Sequence, residues 1–321
     1  MDKKHFNGRL IEMDRSNMIY VAGHRGLVGS AIVRNLEKKG YQNIIKRTSK
    51  ELDLRNQADV NKFFKDNKID YVFLAAAKVG GILANDTYPA EFIYDNLMIQ
   101  TNVVNAAYQN GVKKLEFLGS SCVYPKYAEQ PIKEDQLLKS SLEPTNEAYA
   151  IAKISGIKLC QYYRKQYGFS AISLMPTNLY GPNDNFDLNT SHVLPALIRK
   201  FHDAKLGKNP FVKIWGTGSP LREFLYIEDM GDVAVFLMQN YDSPEIINIG
   251  TGKDISIKEI AEIIKDIVGF KGKIVFDSEK PDGTPKKQLN IDKLKNLGWN
   301  PQYSLKEGIT LTYEWFKKNY R

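Results

Sequence analysis

Met18-Ile19-Tyr20-Val21-Ala22-Gly23-His24-Arg25-Gly26-Leu27-Val28-Gly29 reads as an apolar strand, a glycine turn and the opening of a helix. Met18 to Ala22 form a short apolar run of strand length, and Ala31-Ile32-Val33 followed by Leu36 continues with helical spacing. The three glycines have separate duties. Gly23 permits a tight turn, Gly26 lets a pyrophosphate approach backbone N–H groups at a helix N-terminus, and Gly29 permits close packing of helix on strand. Alone, such a glycine pattern is a weak signal. Its position between a strand and a helix predicts a dinucleotide site at the first βα junction.

Working outward, apolar runs alternate with helical patterns: Ile44-Ile45, Tyr71 to Leu74, Leu115 to Leu118 and Ala171 to Met175, with long helices near 90–110 and 147–167. Right-handed βαβ units built this way make an α/β fold, a Rossmann-type doubly wound parallel sheet. After Gly181-Pro182 the elements become shorter and turn-rich, which predicts a smaller α/β substrate-binding domain with long functional loops. The expected division is 18–181 for the dinucleotide-binding domain and 182–321 mainly for the substrate domain. "EIINIGTG" then returns the chain to the first sheet near 245–250. Residues 1–17 are polar, lack a signal-peptide core and are expected to be a dispensable extension, with Met18 as an alternative start. "SIKEIAEIIKDIVGF" predicts an amphipathic helix opened by a Ser256/Glu259 capping box. The face of the 147–167 helix that carries Ile157 and Cys160-Gln161 suits either a dimer contact or the core.

The 321 residues are 43% hydrophobic and 26% charged, ordinary for a soluble globular protein that buries a full core. The net charge of +8 is spread over helix faces such as Glu37-Lys38-Lys39 and Lys293-Leu294-Lys295. That is a solvated surface, without the concentrated basic face and interleaved aromatics of a nucleic-acid binder. The two cysteines, Cys122 and Cys160, form no metal-ligand spacing and suit a reducing cytoplasm. No apolar run approaches the roughly 20 residues that span a bilayer.

Chemistry concentrates in "PTNEAYAIAK", where Tyr149 and Lys153 stand one helical turn apart. Tyr and Lys at this spacing also arise on helices where both merely cover surface. Upstream, however, lies Gly119-Ser120-Ser121-Cys122-Val123-Tyr124. A phenol, an ammonium and a serine hydroxyl are the parts needed to protonate a carbonyl oxygen while hydride arrives at its carbon. After the second strand, Lys46-Arg47-Thr48-Ser49-Lys50 puts cations and hydroxyls where an NAD enzyme commonly has an acid, which favours the 2′-phosphate of NADPH. Asp53 is a candidate for the adenine, and Arg25 for the adenine or a phosphate. Trp215 suits stacking on a nucleotide or filling the smaller domain.

These residues resemble the extended short-chain dehydrogenase/reductase family, and within it the epimerase/reductases of GDP-4-keto-6-deoxysugars. The likeness runs from about Met18 to the C-terminus through "AGHRGLVGSAI", "LAAAKVGGILAN", "FLGSSCVYPK", "EPTNEAYAIAKI", "PTNLYGPNDNF", "SHVLPAL", "WGTGSPLREFL" and "KPDGTPKK". The resemblance implies NADPH as cofactor, a GDP-4-keto-deoxysugar as substrate and a homodimer packed through the two long helices. It implies Tyr149 as general acid, Lys153 supplying charge that favours phenolate character, and Ser120 bonding the carbonyl oxygen. Cys122 and His192 become the acid–base pair that inverts C3 and C5. Cofactor contacts fall on Gly23, Arg25, Gly26, Leu27, Val28, Gly29, Arg47, Asp53, Ala76, Tyr149, Lys153, Pro176, Asn178, Leu179 and His192. Substrate contacts fall on Lys200, Trp215, Arg222 and Lys286, with no metal. The family pattern has a further arginine near Ser49, so here Arg47 and Lys50 are left for the 2′-phosphate. A C4 reductase of a GDP-4-keto-heptose would keep the same phenol and lysine. A nucleotide-sensing protein without turnover would have no need of them.

Overall fold

The computed structural model describes residues 13–279, 282 and 284–320. In chain order the first elements are β1 (Ile19–Ala22), α1 (Leu27–Lys38), β2 (Ile44–Ile45), α2 (Gln57–Asp66), β3 (Tyr71–Leu74), α3 (Ile82–Thr87), α4 (Pro89–Gln109), β4 (Lys114–Leu118), α5 (Glu147–Tyr167) and β5 (Ala171–Pro176). There follow β6 (Asn178–Tyr180), α6 (Val193–Leu206), β7 (Phe211–Trp215), β8 (Leu221–Tyr226), α7 (Ile227–Asn240), β9 (Ile247–Ile249), β10 (Asp254–Ser256), α8 (Ile257–Val268), β11 (Lys273–Asp277), β12 (Lys286–Lys287), α9 (Asp292–Asn296) and α10 (Leu305–Asn319).

Six strands form one parallel sheet in the order β2-β1-β3-β4-β5-β9. Every residue of β1, β3, β4 and β5 is buried, because helices cover both faces. One cover consists of α2, α4 and α5 packed side by side, and the other of α1 against α7. The chain leaves β1 toward β2 and comes back past it to β3. The strand order therefore reverses direction beside β1, and the carboxyl edge of the sheet there is where such sheets hold their ligands.

The smaller sheets are β10-β8-β12, with β6 also paired to β8, and the pair β11-β7. Glu223 on β8 ties this region to the end of β9. Its fully buried carboxylate accepts the amides of Thr251 at 2.6 Å, Gly252 at 2.7 Å and Leu289 at 2.7 Å. The Ser256/Glu259 box opens α8 as its sequence predicts, and Ile260, Ala261, Ile264 and Val268 bury its apolar face.

Two details of packing bear on what the sequence left open. Residues 13–17 are part of the fold, since Met13 is 5% exposed and its carbonyl accepts the Tyr41 hydroxyl at 3.0 Å. Asn43 adds a bond from its side-chain amide to the Ser16 carbonyl at 2.9 Å. One methionine in a polar stretch finds a core site that linear composition does not reveal; residues 1–12 lie outside the described part. The α5 face carrying Ile157 and Cys160 is interior, both being essentially inaccessible, and Gln161 is spent on the Pro244 carbonyl at 3.0 Å.

Candidate active site

The glycine turn closes against the loop after β3. Gly23 sits at φ +83°, and a Cβ there would stand 2.8 Å from the amide nitrogen of Ala76. A Cβ on Gly29 would lie 2.2 Å from the Gly23 carbonyl oxygen. Helix α1 starts at Gly26 with no side-chain cap and no acid in its first turn. Its leading amides, around Leu27 and Val28, are thus left for an anion. Beside the turn, His24 is disfavoured as a cation first by desolvation, then by Arg25 and Lys46, with Glu51 opposing. Arg25 and Lys46 thus both place positive charge near His24. Arg47 is exposed, donates to the Lys46 carbonyl at 2.9 Å and lies over the Phe63 ring. Asp53 is engaged by Arg55, which donates to both carboxylate oxygens.

At the end of β4 the backbone tightens into a turn over Ser121–Val123, and Ser120 Oγ accepts the Cys122 amide at 3.2 Å. The Tyr149 phenol, in the first turn of α5, lies near the same hydroxyl. Desolvation pushes the phenol's pKa well above its ordinary value, the charge of a Cys122 thiolate pushes the same way, and the nearby Ser120 hydroxyl opposes them. Tyr149 consequently keeps its proton at neutral pH. Lys153 is buried, donates to the Leu118 carbonyl at 2.8 Å and stands 5.8 Å from the Tyr149 ring centroid. Burial pushes its pKa down to about 7. Desolvation governs both groups and favours their neutral forms.

His192 occupies the residue before α6 without capping it. Its imidazole reaches solvent, yet surrounding protein lowers its pKa, desolvation acting first and the Lys287 ammonium second. Lys287 Nζ also donates to Cys122 Sγ at 3.8 Å. One ammonium thus bonds the Cys122 sulfur and acts electrostatically on His192.

The remaining candidates line the smaller sheets. Arg222 donates to the carbonyls of Leu221 at 2.8 Å and Thr284 at 2.5 Å, with desolvation lowering its pKa and Asp282 opposing. Lys200 lies 5.7 Å from the Trp215 ring centroid and donates to the Lys213 carbonyl at 3.3 Å. Trp215 is 62% exposed and fills no core. Lys286 pairs with Asp254 at 3.1 Å. Asn178 donates to the Glu223 carbonyl at 2.8 Å, Pro176 pairs with Ile249, and Leu179 with Leu225.

Sequence reasoning chose Lys286 and passed over Lys287. Neighbouring strand residues face opposite sides, so two adjacent lysines have separate partners. The register of β12 on β8, which sets Lys287 opposite Arg222, decides which is which. Gly81 was also missed: its amide donates to the Thr190 carbonyl two residues before His192. Among the described residues, no cluster of His, Cys, Asp and Glu could hold a metal ion, and no helix is long and apolar enough to cross a membrane.

A model of the NAD dependent epimerase/dehydratase family matches residues 19–250. The chain belongs to this family. Within the family it is 60% identical to GDP-L-fucose synthase 1 of Arabidopsis thaliana over 306 residues, covering 95% of each chain. Among solved structures it resembles a GDP-6-OMe-4-keto-L-xylo-heptose reductase from C. jejuni, at 43% identity and TM-score 0.91, over 95% of this chain and 99% of that one. A GDP-L-fucose synthetase from Naegleria fowleri bound to NADP aligns at 34% identity and TM-score 0.91, over 98% of both chains.

Proposed function

We propose that this chain is a GDP-L-fucose synthase, which inverts C3 and C5 of GDP-4-keto-6-deoxy-D-mannose and reduces C4 to give GDP-L-fucose. The observation that supports the reading is a thiol, that of Cys122, bonded to the Lys287 ammonium, with His192 within that ammonium's electrostatic reach and Ser120 and Tyr149 beside the thiol. A 60% identity to a GDP-L-fucose synthase supports it. The glycine cradle, the open α1 N-terminus and the Arg25/Lys46 charges fit NADPH, which supplies the hydride to C4.

The C4 carbonyl makes the protons on C3 and C5 removable, because each carbanion is an enolate. Cys122 and His192 serve as base and acid on opposite faces of the ring, one taking the proton and the other returning one. Ser120 donates a hydrogen bond to the C4 oxygen. Tyr149, held protonated by its surroundings, gives its phenolic proton to that oxygen as C4 is reduced. Arg222 is the grip on the diphosphate or the sugar, with Lys200 and Lys286 adding charge. Cofactor contacts are assigned to the residues of the β1, β3 and β5 edge, and residues 182–321 mainly to the nucleotide sugar. Two free thiols suit the cytoplasm. A homodimer through α4 and α5 accounts for Tyr94, Ile151 and Tyr162, which are 61%, 41% and 61% exposed.

The heptose reductase match at TM-score 0.91 favours a second reading, C4 reduction without epimerisation. The test separates the two half-reactions. In D2O, Tyr149→Phe should still exchange deuterium into C3 and C5 while NADPH oxidation falls roughly a hundredfold or more. Cys122→Ala should lose the exchange. Full exchange in Cys122→Ala removes the epimerase assignment, and parental turnover in Tyr149→Phe removes the acid.

A further inference from the structure

We propose that Lys287 is a positioning residue for Cys122, its ammonium fixing the sulfur and acting as the counter-ion of the thiolate. The role deepens the reading of Cys122 as an acid–base group. Strand β12 runs parallel to β8, with Lys286 opposite Leu221 and Lys287 opposite Arg222. Strand alternation sends Lys286 to Asp254 on β10 and leaves Lys287 for the other side, where Nζ stands 3.8 Å from Sγ.

The charged and titratable groups around the thiol are few. Tyr149 lies near it on α5 and, as a phenol, is neutral or anionic and never a cation. Lys153 turns away to the Leu118 carbonyl. His192, the partner across the ring, is held toward neutrality by its surroundings and by Lys287 itself. Among the described residues, Lys287 is therefore the cation that bonds the sulfur. A thiolate is the form that takes a proton from carbon, and an ammonium within about 4 Å favours that form.

Iodoacetamide reads the thiolate directly, because sulfur bonds to the methylene carbon as iodide leaves, and no sugar is needed. Failure of the sugar assignment would thus leave this test standing. Full-length parent, Lys287→Met, Lys287→Gln and Lys287→Arg are alkylated from pH 6 to 10, and labelling of Cys122 and Cys160 is followed by peptide mass. Cys160 is 1% exposed and reports folding, since it reacts only when the core opens. The expected result is Cys122 labelling about tenfold slower at pH 7 in both neutral variants, regained at alkaline pH, with Lys287→Arg within about threefold of the parent. A neutral variant that keeps Cys160 protected and matches the parent at every pH overturns the proposal.

Discussion

The amide of Gly81 donates to the carbonyl of Thr190 at 2.9 Å, which binds the loop after β3 to the turn that ends in His192. The approach leaves no room for a side chain. A Cβ on Gly81 would stand 2.7 Å from the Ser191 carbonyl oxygen, a backbone atom that can yield only if the turn moves. His192 is the next residue, so the packing of one glycine fixes the reach of one imidazole.

Gly81→Ala should therefore displace His192 and slow deuterium exchange at C3 and C5 by about tenfold, at a stability cost of about 1–3 kcal/mol. Mass-resolved exchange beside a urea titration separates the two effects. An unchanged exchange rate would mean that the turn's position is immaterial to the acid–base pair.

The cofactor cradle makes a sharper demand. Gly29→Ala places a methyl group where the Gly23 carbonyl already lies, 2.2 Å away. The turn must open, and NADPH affinity measured by fluorescence quenching should fall at least tenfold, about 1.4 kcal/mol. Affinity within twofold of the parent would contradict the geometry.

Arg25 addresses cofactor choice. Because its charge and that of Lys46 both act on His24, Arg25→Ala should weaken NADPH by about tenfold more than NADH, as expected for one lost charge-assisted phosphate contact. Equal weakening of both would place Arg25 on the adenine or the pyrophosphate.

Lys153 gives a pH signature. Its pKa moves from 10.5 to about 7 on folding, so between those values the unfolded chain binds the additional proton. Unfolding free energy then rises with pH across this window, and the destabilisation is greatest below about pH 7. Urea midpoints at pH 7 and 9 should differ less in Lys153→Met than in the parent. Identical slopes would show that the ammonium is solvated in the native state.

Much of this architecture is legible along the chain. Strands β1 and β3 are apolar at every position because both faces are covered, and Ser256 with Glu259 announces α8 through local hydrogen bonds. Local signals of that kind survive in a linear reading. Lys287 lies 165 positions from Cys122, and only the pairing of β12 with β8 tells it from Lys286. The charge states of Tyr149 and Lys153 depend on burial, which a motif does not encode. Met13 was hidden for a similar reason, as its partner Tyr41 lies 28 positions away.

Met13 supplies its own test. A chain beginning at Met18 loses a buried methionine side chain, worth about 1.5–3 kcal/mol, and the Tyr41 bond. Its thermal midpoint should fall by several degrees while activity at 25 °C persists. An unchanged midpoint would return residues 13–17 to the status of a dispensable extension.

The central assignment is tested most directly by the product formed from GDP-4-keto-6-deoxy-D-mannose and NADPH in D2O, identified by NMR. The account predicts GDP-L-fucose carrying deuterium at C3 and C5. A GDP-6-deoxyhexose of retained configuration at both carbons, free of deuterium there, would contradict it.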